Sequence, residues 1–301
     1  MSKVKVICTS TGSISFLPER YKKYDIGTLQ IHMIFKGVEY LEGEMDPVKF
    51  YEELEALEDP KSNLPKTALP SHDEISALFE QAVADGYDEI LLFTISSGLG
   101  GTYNAVSLFA KEYMETHDIK IHVIDTKAAA FSEGIHAIRA AQMLEEGYSV
   151  ERILAETDWA IRHQEFMGVD AKLDYLIYNG RLKGAKAFLG QMMKICPVLH
   201  FTENGEIVAM ESVRTPKKAL VRTCELLKEI IGDRDPKDYL LFHIYTGPSL
   251  LTTLKEIEAK AGISVNHEDV IMSPVSGCHN GPWLAGYGLY RIRREDEPLD
   301  Q

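Results

Sequence analysis

Short apolar runs alternate along this chain with longer stretches whose apolar residues recur at helical spacing. Val4–Thr9 reads as a first strand that ends in the small polar turn Thr9-Ser10-Thr11-Gly12-Ser13. Gly27–Phe35 reads as a second strand and Lys36-Gly37 as a turn. Asp46-Pro47 opens a helix over Val48–Leu57. Lys61–Pro70 holds Pro65 and Pro70, lacks a helical period, and reads as an extended loop. Ser71 then caps a helix whose Leu78, Phe79 and Val83 face inward. Glu89–Ile95 is an almost unbroken apolar run, the pattern of a strand covered on both faces. A turn of small residues, Ser96-Ser97-Gly98-Leu99-Gly100-Gly101, leads into a helix from Thr102 with Ala105, Val106, Phe109 and Ala110 on one stripe. Lys120–Ile124 is strand-like, and a helix runs from about Ser132 to Glu146. Strand, helix, strand, helix in that order signals a parallel α/β layer.

The pattern changes after an amphipathic helix over Ser149–Glu165. Phe166–Val169 and Val198–Phe201 read as strands, and Glu203-Asn204-Gly205 joins the latter to Glu206–Met210 as a hairpin. Pro216–Ile231 and Leu250–Ala261 are helical, Tyr239–Tyr245 and Val270–Pro274 are strands, and Val275–Pro282 is a loop. The expected fold class is therefore α/β in two domains. Residues 1–148 form a parallel-sheet domain, and residues 149–301 a smaller α+β domain.

Strand, glycine turn and helix together make an anion site. The first helical N–H groups lack internal partners and carry the positive end of the helix dipole. Ser96 and Ser97 add hydroxyls at the strand end, and Gly98 lets the backbone approach a ligand. No Lys follows the glycines, so the turn is not a P-loop, and the spacing fits neither GxGxxG nor GxSxG. Hydroxyls and N–H groups suit one unit of negative charge, as on a carboxylate, better than a triphosphate. The same turn also reads as a plain helix start.

Composition narrows the partners. The 301 residues are 45% hydrophobic and 26% charged, with a formal net charge of −14, which disfavours nucleic acid and anionic membranes. Cys8, Cys196, Cys224 and Cys278 form no CxxC, so neither a metal site nor a redox motif is expected. No signal peptide and no apolar run near ~18 residues appears, and the expectation is a cytoplasmic monomer without a membrane span.

Several blocks resemble the DegV family of bacterial fatty-acid-binding proteins. They are Lys66-Thr67-Ala68-Leu69-Pro70-Ser71, Ile95–Tyr103, Val123–Thr126, Leu173–Leu176 with Asn179-Gly180-Arg181, Asn204–Ile207, Val213–Ala219 and Gly277-Cys278-His279-Asn280-Gly281-Pro282. The resemblance implies two α/β domains, a buried long-chain fatty acid, no other cofactor and no catalytic residue. It also implies that the protein presents the carboxylate to the catalytic subunit of a fatty acid kinase. By motif it places Thr67 and Ser97 on the carboxylate, with Ser96 the second choice and Gly98 beside them. His279 joins from the second domain, and Arg181 lies near the mouth, facing the partner or the phosphoryl group. Two departures stand out. Thr9 and Ser13 occupy positions where the family usually has acidic residues, and Leu69 one where a polar residue is common, implying a divergent member. Two rival readings remain: a serine hydrolase using Ser97 and His279, and a binder of another small anion.

Overall fold

The computed structural model describes residues 3–17, 19–187 and 195–299. Strand Glu89–Thr94 is buried at every position, as its apolar run requires. It pairs in parallel with Val4–Thr9 and Lys120–Asp125, and Ile26–Leu29 completes a four-stranded parallel sheet. Pleating sends alternate residues to opposite faces. Ile90 and Leu92 meet Ile75 and Phe79 of helix His72–Ala84 and Val106 and Ala110 of helix Thr102–Met114. Leu91 and Phe93 meet Ala137, Ala140 and Ala141 of helix Phe131–Glu145. Ser71 and Glu74 close a capping box at the start of His72–Ala84. Ile75, Phe79 and Ala82 face inward there, whereas Val83, expected inside, is exposed. It lies one residue beyond Ala82, and the helical period turns it to solvent.

The second sheet has six strands in the order Ile207–Val213, Cys196–Phe201, Glu165–Asp170, Leu284–Arg291, Tyr239–Tyr245, Asp269–Ile271. Neighbours are antiparallel except the last pair. Helices Pro216–Ile231 and Pro248–Ala261 cover one face, packing Leu220, Leu227 and Leu254 on Val169, Leu241 and Tyr287. On the other face Phe166, Leu199, Phe242 and Tyr290 pack with Phe131, Ile135 and Ile138 of helix Phe131–Glu145. That helix touches both sheets and holds them apart.

Gly27–Phe35 is not one strand. It ends in the parallel sheet at Leu29, and His32–Phe35 leaves for a three-stranded antiparallel sheet with Val38–Tyr40 and Lys66–Ala68. Lys36 and Gly37 both have positive φ, the geometry of a two-residue hairpin turn. The expected loop Lys61–Pro70 thus contains the strand Lys66–Ala68, too short for alternation to reveal. The Val270–Pro274 strand stops at Ile271, and Ser273 caps a short helix, Pro274–Gly277, where a loop was expected.

Sequence pattern misses Leu284–Arg291, a central strand, because Gly286 and Gly288 interrupt its apolar pattern. Gly286 is there for space: a Cβ on it would overlap the Met167 carbonyl oxygen and sit 2.5 Å from the Gly168 Cα. Gly286→Ala should therefore lower the urea midpoint with m unchanged, at a cost of about 1–3 kcal/mol. An unchanged midpoint would mean that the two strands separate freely at this point.

Candidate functional site

A cavity of about 220 Å³ opens beyond the carboxyl ends of the parallel strands, between the two sheets. Thr11 and Ile95, just past strands Val4–Thr9 and Glu89–Thr94, form one wall. Leu199, Ile244 and Met272 of the second half form the opposite one. Open α/β sheets bind ligands at this end. Leu69 lines the cavity yet is 47% exposed, so it marks the mouth.

Thr67, His279 and Arg181 all line this cavity. Pairing of Lys66–Ala68 with His32–Ile34 fixes Thr67, whose Oγ1 lies 3.1 Å from His279 Nε2. His279 follows helix Pro274–Gly277. Burial, with the nearby Arg181 charge, pushes its pKa down to about 3, so the ring is neutral at ordinary pH. Its Nδ1 is buried without a hydrogen-bond partner among the described residues. Arg181 donates from Nη1 to the Asn179 carbonyl at 2.7 Å, and among the described residues the rest of its guanidinium fork has no hydrogen-bond partner. The remaining lining is mostly apolar, with Thr11, Thr102, Ser276 and Asn280 as its other polar residues, the usual character of a small-molecule site.

Ser96, Ser97 and Gly98 are not among the residues lining the cavity. Ser96 Oγ donates to the Gly205 carbonyl at 2.8 Å and accepts from Gly98 N–H at 3.0 Å. A Cβ on Gly98 would sit 2.6 Å from the Asn204 carbonyl oxygen, and one on Gly205, where φ is +71°, would overlap Ser96 Oγ. The close backbone approach expected for a ligand is thus taken by the hairpin of the second sheet. Ser97 Oγ accepts from Lys127 Nζ at 3.1 Å, and its N–H donates to Asp125 Oδ1 at 3.0 Å. Asp125 and Lys127 are themselves paired at 2.7 Å. Ser97 and His279 therefore have different hydrogen-bond partners and form no nucleophile–base pair.

Sequence reasoning missed Glu133 and Glu42. Glu133, fully buried on helix Phe131–Glu145, accepts from Thr9 Oγ1 and, at 2.7 Å, from Thr11 Oγ1. Thr9 thus hydrogen-bonds a carboxyl that the helix delivers to the turn after the first strand. Ser13 instead accepts from Ser273 N–H at 3.2 Å and joins the two halves. Desolvation pushes the pKa of both Glu133 and Glu42 up from 4.5 to about 8. A glutamate three residues after an alanine run carries no sequence signal of burial. Among the described residues no group of His, Cys, Asp and Glu could hold a metal ion, and no helix is long and apolar enough to cross a membrane.

A parallel α/β sheet and a mixed sheet enclosing an apolar cavity define the class of this molecule. A family model described as uncharacterised proteins of the DegV family matches residues 3–291, and the chain belongs to that family. It is 29% identical over 301 residues to the fatty acid-binding protein of Thermotoga maritima, covering 97% of this chain and 99% of the relative. The crystal structure of a fatty acid binding DegV family protein from Streptococcus agalactiae superposes with a TM-score of 0.86 at 29% identity, covering 97% of this chain and 100% of that one. A stearic acid-binding protein from Eubacterium ventriosum superposes with a TM-score of 0.81 at 25% identity, covering 97% and 98%.

The buried carboxyls set a pH dependence of stability. The folded state holds protons on Glu133 and Glu42 that the unfolded chain releases. Their contribution is complete below pH 4.5 and is lost as pH rises to about 8. His279 and His136, pushed down to about 3 and about 4, act oppositely, and their gain is complete by pH 6.5. The melting temperature should therefore fall between pH 6.5 and 8, and the fall should be shallower in a Glu42→Gln, Glu133→Gln double variant. Equal slopes in both proteins would show that these carboxyls do not carry the effect.

Proposed function

We propose that this protein binds a long-chain fatty acid in the cavity between its sheets and presents the carboxylate at the mouth to the catalytic subunit of a fatty acid kinase. The observation that carries this reading is the convergence of Thr67, neutral His279 and Arg181 on a mostly apolar cavity. Arg181 supplies the opposite charge and a planar fork matched to a carboxylate. Thr67 and neutral His279 form one relay: with His279 Nε2–H donating to Thr67 Oγ1, the Thr67 hydroxyl is free to donate to the carboxylate, and the Leu69 side offers the way in. The names of the relatives support the ligand class. Presentation to a kinase fits a head group held near the mouth, where a second protein can reach it.

Within this proposal the carboxylate clamp is Thr67, His279 and Arg181, while Ser96, Ser97 and Gly98 brace the wall behind. A serine hydrolase is disfavoured by the separate partners of Ser97 and His279. Calorimetric titration with hexadecanoic acid distinguishes these roles. Thr67→Val removes one charge-assisted hydrogen bond and should weaken binding roughly 10- to 150-fold. Arg181→Gln should cost at least as much. Ser97→Ala should stay within about twofold of wild type, because its hydroxyl already serves Lys127. A large loss in Ser97→Ala with none in Thr67→Val would reverse the assignment. Presentation is tested by adding ATP and a fatty acid kinase catalytic subunit to the loaded protein and trapping acyl phosphate with hydroxylamine. Failure to form the hydroxamate would remove the kinase from the proposal.

A further inference from the structure

Helix Asp174–Tyr178 ends at Asn179 in a Schellman turn. Gly180 has φ +70° and donates its N–H to the Ile177 carbonyl at 3.1 Å, and the Arg181 N–H donates back to the Leu176 carbonyl at 2.8 Å. Leu182 then bridges to Ile207, the first residue of strand Ile207–Val213. The backbone at Arg181 is thereby fixed on both sides. Its side chain is not, because several rotatable bonds separate the backbone from the guanidinium.

Asn179 limits that freedom. Its main-chain carbonyl accepts from Arg181 Nη1 at 2.7 Å, which folds the guanidinium back over the turn. Its side-chain Nδ2 donates to the Cys278 carbonyl at 3.2 Å. A carbonyl can only accept, so the amide nitrogen of Asn179 must be the atom that faces it. The Cys278 carbonyl belongs to the peptide that joins Cys278 to His279, inside a turn closed by its own hydrogen bonds: Cys278 N–H to the Pro274 carbonyl at 2.9 Å and Gly281 N–H to the Gly277 carbonyl at 2.8 Å. The Asn179 amide links this turn to the one that carries Arg181.

Asn179 does not itself line the cavity, whereas Arg181 and His279 both do. We propose that Asn179 is the positioning residue of the carboxylate clamp: its carbonyl aims Arg181 and its amide holds the His279 peptide, so that both turns face one head group. His279 in turn orients Thr67 across 3.1 Å, so a shift of that peptide reaches all three members of the clamp. Asn179-Gly180-Arg181 divides into tie, turn and charge. This inference rests on the fatty-acid reading and adds to it the residue that sets the head-group geometry.

The test titrates decanoic and hexadecanoic acid by calorimetry into wild type, Asn179→Ala, Asn179→His, Arg181→Gln and the Asn179→Ala, Arg181→Gln double variant. Asn179→Ala should weaken both acids by the same factor, about three- to tenfold, because one neutral hydrogen bond is lost and the tail is untouched. Asn179→His offers Nδ1–H near the place of the amide nitrogen and should recover much of that loss. In the Arg181→Gln background the alanine change should cost a smaller factor than in wild type, because a group that Asn179 aims is gone. Asn179→Ser replaces the alanine variant if that chain does not fold. A loss that grows with chain length, an equal factor in both backgrounds, or no recovery in Asn179→His would mean a general loosening of the cavity and overturn the positioning role. Wild-type affinity in Asn179→Ala would overturn it too. Each of these results leaves fatty-acid binding intact. If wild type binds neither acid, the functional reading itself falls, and this inference with it.

Discussion

One constraint governs the rest of this structure: helix Phe131–Glu145 is buried between two sheets and serves both cores at once. Ala137, Ala140 and Ala141 lie against the parallel sheet, and Phe131, Ile135 and Ile138 against the mixed one. Small residues on one face and large ones on the other let a single helix fill two gaps of unequal depth. Ala129 and Ala130, at its N-terminal end, line the cavity between the sheets, which is the space left where the helix stops. The same position explains the chemistry within the helix. Glu133 and His136 have no water to reach, so both are driven to their neutral forms and hydrogen-bond to Thr9, Thr11 and Gln164.

With the sheets spaced by the helix, a few cross-contacts close the cavity. Ser96 meets Gly205, Ser276 Oγ donates to the Thr11 carbonyl at 2.9 Å, and Tyr51 OH donates to the Met272 carbonyl at 2.8 Å. Most of these are backbone contacts reached by short side chains, which keeps the walls close without filling the space between them. The result is a mostly apolar space with Arg181 as the charged group among its described lining residues.

The parallel layer was legible because its buried strands and amphipathic helices are strongly patterned, whereas the small sheet of His32–Phe35, Val38–Tyr40 and Lys66–Ala68 was not, because strands of three or four residues are too short for alternation to show. Helix Pro216–Ile231 and strand Tyr239–Tyr245 in the second half were read to the residue, since caps and turn residues mark their ends. Leu284–Arg291 was not legible, because its glycines answer to Met167 and Phe242 on neighbouring strands, distant in sequence. The same blindness affected the site. Gly98 was read as a point where the backbone approaches a ligand, and the structure brings the hairpin at Asn204 and Gly205 to it, a partner distant in sequence that no local pattern names. Thr67, His279 and Arg181 came from the family resemblance rather than from the residues themselves, and the fold brings all three to one cavity. The expected boundary at 148/149 precedes helix Val150–His163, whose Ile153 packs with the first sheet and Trp159 with the second.

The account's central claim is that a carboxylate sits, ionised, in a mostly apolar cavity beside Arg181. An opposite charge and hydroxyl donors favour the charged form, while burial alone would favour the neutral acid. Carbon-13 NMR of bound carboxyl-labelled hexadecanoic acid separates the two directly. The account predicts one protein-bound carboxyl resonance that keeps its ionised shift below the pH at which the free acid protonates, and that begins to titrate upward in Arg181→Gln. A bound resonance that titrates like the free acid, or above it, in wild type and variant alike would contradict the account.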